Sequence, residues 1–444
     1  YKRQGWRVSE EAFWKVNPEL FSNLKIRASY GSLGNGNVSP YSFLELLSIS
    51  TSGRVLNGLK NKYTSAPAVM PDGLTWETAT TTDVGLDFGM LNNRLQFNGD
   101  YYIRKTTDMY TVGKTLPDVF GASSPKGNYA DMTTKGWEIT LTWRDQFTLA
   151  EKPFNYEIRG TLSDYISTID RYNNQTGNLN DYYAGKRVGE IWGYVTEGLF
   201  KDQADIDSHA DQTLIQSSSQ RVTYPGDVKI KDLNGDHVID YGNNTLKDHG
   251  DKTVIGNTLP RYAYSINLSG DWNNFFLSAF FQGVGKQDWY PSSECIFWGQ
   301  YNRPYNNMPT WHQGNYWTED NTDAYLPRYA GYNASLKSTP QTRYLQNVAY
   351  IRLKNLQFGY TLPQPIISKA KLQNVRVYIS AENLWCWSPL YKHTRDLDVT
   401  NIYGSDPDLT DADMSSGLNG NRGSGDGNSY PQMKSVSLGL SVTF

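Results

Sequence analysis

Apolar and polar residues alternate with period two along most of this chain. Leu24, Ile26, Ala28 and Tyr30 alternate with Lys25, Arg27 and Ser29; Val84, Leu86, Phe88 and Met90 alternate with Asp83, Gly85, Asp87 and Gly89. The same beat runs through Leu95 to Ile103, Ile139 to Trp143, Tyr156 to Leu162, Tyr262 to Leu268, Phe275 to Phe281, Val375 to Ala381 and, last, Val436 to Phe444. Such alternation makes one face of a strand apolar and the other wet. Between Ile351 and Tyr360 the phase slips by one residue, which predicts a β-bulge at Lys354 or Asn355. About twelve strands of roughly ten residues are expected, the length that crosses a bilayer at a tilt. Helical signals are few: a poorly capped start at Ser9 that meets Pro18, and one or two turns between Ile366 and Leu372.

Soluble sandwiches use strands of about five or six residues, shorter than those read here. Gly85, Gly89, Gly99, Gly160 and Gly439 recur inside strands, and Tyr30, Tyr101, Tyr102, Trp137, Trp143, Tyr165, Tyr360, Trp385 and Trp387 fall near strand ends. Rings at the ends of an apolar band suit a membrane interface; cross-strand aromatic pairing in a soluble sheet would produce the same pattern. Connections fall into two classes. Those around residues 92–93, 271–274 and 362–372 are short to moderate, whereas 32–74, 173–187, 201–252, 286–344 and 389–434 are long. Membrane barrels have this asymmetry, with short turns on one side and long loops on the other.

Composition sharpens the picture. The 444 residues contain 32 Tyr, 13 Trp and 16 Phe, yet mean hydropathy is −0.60. A lipid-facing row averaged with a wet row and long polar loops gives such a value. With 42 Lys+Arg against 45 Asp+Glu, the balance speaks against a nucleic-acid binder that neutralises phosphates. Two cysteines, Cys295 and Cys386, make no disulfide framework or metal spacing. No stretch approaches 18 consecutive apolar residues, so no transmembrane helix is expected. Nor is there a basic segment followed by an apolar one at the start, so any signal peptide is expected to have been removed.

Several motifs stand in a recognisable order. They are Gly5-Trp6-Arg7-Val8-Ser9-Glu10-Glu11; Leu24-Lys25-Ile26-Arg27-Ala28-Ser29-Tyr30-Gly31 with Gly34-Asn35; and Trp76-Glu77. Next come Tyr101-Tyr102-Ile103-Arg104-Lys105-Thr106, Lys135-Gly136-Trp137-Glu138, Ile351-Arg352-Leu353-Lys354-Asn355 and Glu382-Asn383-Leu384, then Tyr430-Pro431 before a strand ending in Phe444. This ordered set resembles the SusC/RagA family of TonB-dependent outer-membrane transporters. The resemblance covers the family's C-terminal part, with plug and first strands absent. It implies an all-β fold: residues 1–444 as the later strands of a 22-stranded antiparallel transmembrane barrel with long extracellular loops. Where the family has Asp-Pro-Glu, this chain has Asp406-Pro407-Asp408 after an intervening stretch, 392–403.

The most specific local motif is Asp232-Leu233-Asn234-Gly235-Asp236-His237-Val238-Ile239-Asp240. Oxygen donors at Asp232, Asn234, Asp236 and Asp240 have the spacing of a calcium loop, although His237 stands where the turn wants Gly and Asn243 where a bidentate Glu belongs. The alternative is an Asx-rich turn closed by its own backbone. No cofactor is required; Ca²⁺ is the one ion expected, if any.

Residues 286–344 concentrate Trp289, Tyr290, Trp298, Tyr301, Tyr305, Trp311, Tyr316, Trp317, Tyr325, Tyr329 and Tyr332 among amides and Arg. Flat rings with polar neighbours suit stacking on sugars or gripping a partner, and Trp289, Trp311 and Trp317 are the candidate ligand contacts. The alternative is a loop core packed on itself. For catalysis there is little. Glu294, Glu319, Asp320 and Asp323 could form a glycosidase pair but read as solvated carboxylates, and the five histidines have no triad or HExxH context. No enzyme is expected.

The family likeness implies TonB-dependent import of oligosaccharide or oligopeptide across the bacterial outer membrane. It also implies a SusD-like surface lipoprotein as lid, contact with the TonB complex through the absent plug, and a surround of outer-membrane lipids. Phe444, closing the last strand, would signal to the outer-membrane assembly machinery. A soluble all-β glycan-binding or glycan-hydrolysing protein, or a surface adhesin barrel, would share the strand pattern.

Overall fold

The structure is a computed structural model that describes residues 2–36, 44, 47–65, 73–113, 119, 124–216, 222–291, 295–301, 306–330, 339–400, 402 and 432–444. Glu294, Tyr305, Tyr332, Asp406 to Asp408 and Tyr430-Pro431 lie outside them. Eleven strands form one sheet in sequence order: β1 (Lys2–Arg7), β2 (Phe21–Asn35), β3 (Glu77–Met90), β4 (Leu95–Val112), β5 (Lys126–Leu149), β6 (Lys152–Arg171), β7 (Arg261–Trp272), β8 (Phe275–Lys286), β9 (Tyr350–Thr361), β10 (Asn374–Trp387) and β11 (Ser435–Thr443). Every neighbouring pair is antiparallel. Lengths are less even than the alternation suggests. β5 has 24 residues and β6 has 20, about twice what a bilayer crossing needs, so this part of the wall rises well past the apolar band. No helix among the described residues is long and apolar enough to cross a membrane.

The meander sorts its connections by end. Residues 8–20, 91–94, 150–151, 273–274 and 362–373 close strand pairs at one end, and 36–76, 113–125, 172–260, 287–349 and 388–434 do so at the other. Two of the tight turns are two-residue loops with both residues at positive φ: Ala150 (47°) and Glu151 (63°), and Asn273 (49°) and Asn274 (68°). That conformation continues the strand twist across the turn, and only the second pair uses the residue type it favours.

Register carries the apolar face across the sheet. Ile26, Leu86, Gly99, Ile139, Leu162, Tyr264, Gly283, Ile351 and Trp387 stand side by side. Nearer the short turns, Ile158, Leu268, Ala279, Leu356, Ala381 and Val436 form a second such row. Phe147, Phe154 and Tyr156 cluster at the short-turn rim, as do Phe275 and Tyr360. Tyr101, Trp137, Tyr264, Trp385 and Trp387 mark the other margin. Tyr102 and Tyr165 do not join this girdle: each is one residue out of phase with it and lies on the opposite, polar face, flanking Gly136. The expected bulge is at Lys354, since Phe280 pairs with Asn355 and Phe281 with Leu353. It keeps Ile351 and Leu353 on the same face as Leu356 and Phe358.

Candidate functional site

The sheet buries little. The main hydrophobic core lies among the loops of the long-loop end, where Tyr194, Leu199, Val228, Ile230 and Ile239 pack with Trp289, Phe297, Trp298, Tyr301, Leu326 and Tyr344, and with Leu390, Leu397 and Val399. Three connections, 172–260, 287–349 and 388–434, thus contribute to one folded cap. Two small two-stranded ladders shape the first: Glu190–Gly193 pairs with Thr253–Asn257, and Thr196–Leu199 with Val228–Ile230.

Charged side chains bind the cap's parts together. Asp227 Oδ1 accepts from Arg328 Nε at 2.7 Å, its Oδ2 accepts from the Tyr224 amide, and the guanidinium sits 4.5 Å from the Tyr224 ring centroid. Desolvation raises the Asp227 carboxyl above its ordinary range, against the Tyr224 amide and Arg328, which lower it. Arg352 of β9 donates Nη2 to Asp398 Oδ1 at 2.6 Å, both nearly fully buried, tying the third loop to the wall. His312 is fully buried. Its Nε2 donates to the Phe297 carbonyl at 2.9 Å, and desolvation lowers its pKa to about 4, against that hydrogen bond.

The sequence-picked tryptophans separate here. Trp289 is fully buried in the core and pairs edge-on with Phe297. Trp311 and Trp317 are half-buried and pack against that core; Trp311 contacts Phe297, His312, Tyr325 and His393. Trp317 closes on Gly226, where a Cβ would fall 2.5 Å from the indole ring. Most of the rings thus bury one another. Of the four carboxylates, Glu319, Asp320 and Asp323 are exposed.

The candidate calcium loop is a stack of Asx turns. Asp232 accepts from the Gly235 and His237 amides, Asn234 from Asp236, Asp236 from Val238 and Asp240 from Gly242, at 2.6–3.0 Å. Asp251 closes the loop's base by accepting from the Leu233 and Asp240 amides. Asp232 titrates below its ordinary range: desolvation opposes this, and the Gly235 and His237 amides prevail. Among the described residues no three His, Cys, Asp or Glu side chains are gathered as a metal site.

Beneath the cap, the polar face of the sheet carries paired charges that composition could not reveal. Arg27 forks onto Asp87 (2.8 and 2.9 Å) and Asp100 (2.6 and 2.8 Å). Arg144 pairs with Glu157 on the same face, whereas Arg94 with Asp145, and Arg171 with Asp131 and Asp108, pair toward the strand ends. A cleft of about 620 Å³ opens on this face near the short turns, lined by Arg94, Arg144, Asp145, Glu157 and Asp271. The signal for these partners was present in the strand phase: Arg27, Asp87 and Asp100 all occupy wet positions of their alternations.

A sheet with an exposed apolar band, a charged reverse and all long loops at one end is the wall of an outer-membrane barrel. No family model matches the chain. It is 28% identical over 461 residues to TonB-dependent receptor P26 of Formosa agariphila, covering 99% of this chain and 41% of that protein. With TonB-dependent receptor SusC of Bacteroides thetaiotaomicron the identity is 24%, covering 99% and 39%. The solved RagAB peptide transporter superposes with a TM-score of 0.68 at 20% identity, over 100% of this chain and 43% of that one. The fold is that of a TonB-dependent transporter barrel. The resemblance to SusC-type TonB-dependent receptors runs the length of the chain, and it places the chain in the bacterial outer membrane. The chain spans about two-fifths of the length of the curated relatives it matches, and those relatives are named as receptors, not enzymes.

Proposed function

We propose that this chain is the later half of a 22-stranded barrel that imports a nutrient across the outer membrane, driven by TonB. The observation that carries this is the pairing of a charged inner wall with one folded cap, built from connections at a single end of a lipid-facing sheet. β1 and β11 stand at opposite ends of the sheet and do not pair with each other. Open edges are not tolerated in hydrocarbon, so further strands are needed to close the wall. A plug would seat against the polar face that bears Arg27 and the short-end cleft.

The ligand is an oligosaccharide or oligopeptide, captured beneath a SusD-like lipoprotein that rests on the cap. Trp311 and Trp317, which keep partial exposure, are the rings proposed to meet it; Trp289 supports them from the core. No bond is made or broken in the cargo. Growth and uptake of labelled oligosaccharides and oligopeptides by cells with and without the gene test this reading. Import of one class that is lost on deletion, together with co-purification of a surface lipoprotein, supports it. Unchanged uptake of both classes would overturn it.

A further inference from the structure

On the apolar face the chemistry changes over a few residue steps toward the long-loop end. The row Ile26, Leu86, Gly99, Ile139, Leu162 is followed by Ala28, Val84, Tyr101, Trp137, Asp164. Next come Tyr30, Thr82, Ile103, Lys135, Ile166, and then Ser32, Thr80, Lys105, Thr133, Thr168. Aliphatic, then aromatic, then lysine and hydroxyl is the profile of a passage from hydrocarbon to headgroups.

At this boundary β4, β5 and β6 frame a groove of about 690 Å³, in the size range of sites for small molecules. Tyr101, Ile103 and Trp137 form its apolar side, and Lys105 and Lys135 stand exposed above them. Lys135 lies opposite Ile103 and Lys105 opposite Thr133, so the lysines are diagonal neighbours across one strand pair, about 7–8 Å apart at the backbone. One phosphate between the two ammonium groups fits that spacing. Neither lysine is in an ion pair with a described residue. Two carboxylates also line the groove: Asp164 pairs with Arg261 through two 2.5 Å contacts, and Asp170 accepts a hydrogen bond from Thr133.

We propose that this groove binds a phosphorylated lipid of the outer leaflet. Its phosphate sits between Lys105 and Lys135, and its first acyl methylenes lie on Tyr101, Ile103 and Trp137. The inference rests on the outer-membrane reading, with the long loops outside, but not on what is imported.

The test uses the complete protein in detergent and measures binding of lipid A, of its dephosphorylated form and of inorganic phosphate by native mass spectrometry. Lipid A is expected to bind, with K105Q/K135Q weakening it about 30-fold, from roughly fivefold per lysine. K152Q, at the opposite end, should bind as the unsubstituted protein does. Equal binding of the dephosphorylated lipid, unchanged binding by the double variant, or displacement by inorganic phosphate alone would each overturn the proposal. Outer-membrane levels and heat-modifiable migration of K105Q/K135Q, both expected at the unsubstituted level, separate loss of the site from loss of the fold. A protein absent from the outer-membrane fraction would instead overturn the outer-membrane reading.

Discussion

Asp227 and Arg328 join the two longest connections of the molecule, Oδ1 to Nε at 2.7 Å, with the Asp227 side chain almost wholly buried. Backbone bonds flank the pair: Phe200 donates to the Asp227 carbonyl and Arg328 to that of Gly226. Removing one partner of a buried pair leaves an unpaired charge, which costs about 3–5 kcal/mol. Arg328→Ala is therefore expected to loosen the cap while leaving the sheet intact. Limited proteolysis should then cut within 172–260 or 287–349, with unchanged heat-modifiable migration of the barrel; a cap as resistant as before would show that the pair does not hold it.

His312 makes the cap acid-sensitive. Its folded pKa, about 4, lies below the ordinary 6.5, so protons bind the unfolded cap more readily than the folded one. The stability present above pH 6.5 falls as pH drops toward 4, by about 3 kcal/mol at one pH unit per 1.36 kcal/mol. Asp227, whose pKa is raised, works in the other direction, but only as pH falls into the carboxylate range. Protease susceptibility of the cap should rise between pH 6.5 and 4.5, and H312N should flatten that rise.

The 232–240 loop presents its oxygens to its own amides, so its rigidity comes from Asx turns. Chelator is expected to leave the thermal midpoint of the cap unchanged, whereas Asp232→Ala, which removes two acceptors, should lower it. A midpoint that climbs with added calcium would assign the loop to the ion, which the spacing of Asp232, Asn234, Asp236 and Asp240 also supports.

Ala150 and Glu151 occupy the left-handed region without the side chains that tolerate it. Replacing them with Asn-Gly should stabilise the β5–β6 hairpin by about 1 kcal/mol or more, read as a higher refolding yield in detergent. No gain would mean that the long ladder, not the turn, sets the register.

Leu162 stands in the exposed apolar band, opposite Ile139 and Tyr264. Leu162→Arg should cost about 1–3 kcal/mol in the bilayer and lower outer-membrane levels. Thr161→Arg, one residue along on the polar face, should not. Equal loss from both would argue against a lipid-facing row.

Much of the wall was legible before any coordinates. Period-two alternation is a backbone property: successive side chains must point to opposite faces, so Ile26, Leu86 and Ile139 announce one surface and Arg27, Asp87 and Asp100 the other. The Lys354 bulge was visible as a phase slip for the same reason, and Asn273-Asn274 as a turn from its residue type. Ala150-Glu151 carried no such signal, because there the long ladder of β5 and β6 imposes the turn. The loop aromatics could be counted but not assigned. Whether a tryptophan stacks on a ligand or on a neighbouring ring depends on which distant segments arrive beside it. Only the folded cap buries Trp289 against Phe297 while leaving Trp311 and Trp317 at its margin.

The same distinction divides the whole protein. Local alternation determined the strands and their two faces, since each needs only a residue and its next neighbours. Tertiary structure alone decided that Asp227 meets Arg328, that Arg352 meets Asp398, and that Lys105 and Lys135 share a groove. These contacts join residues from separate strands or loops, and strand register and loop packing set them.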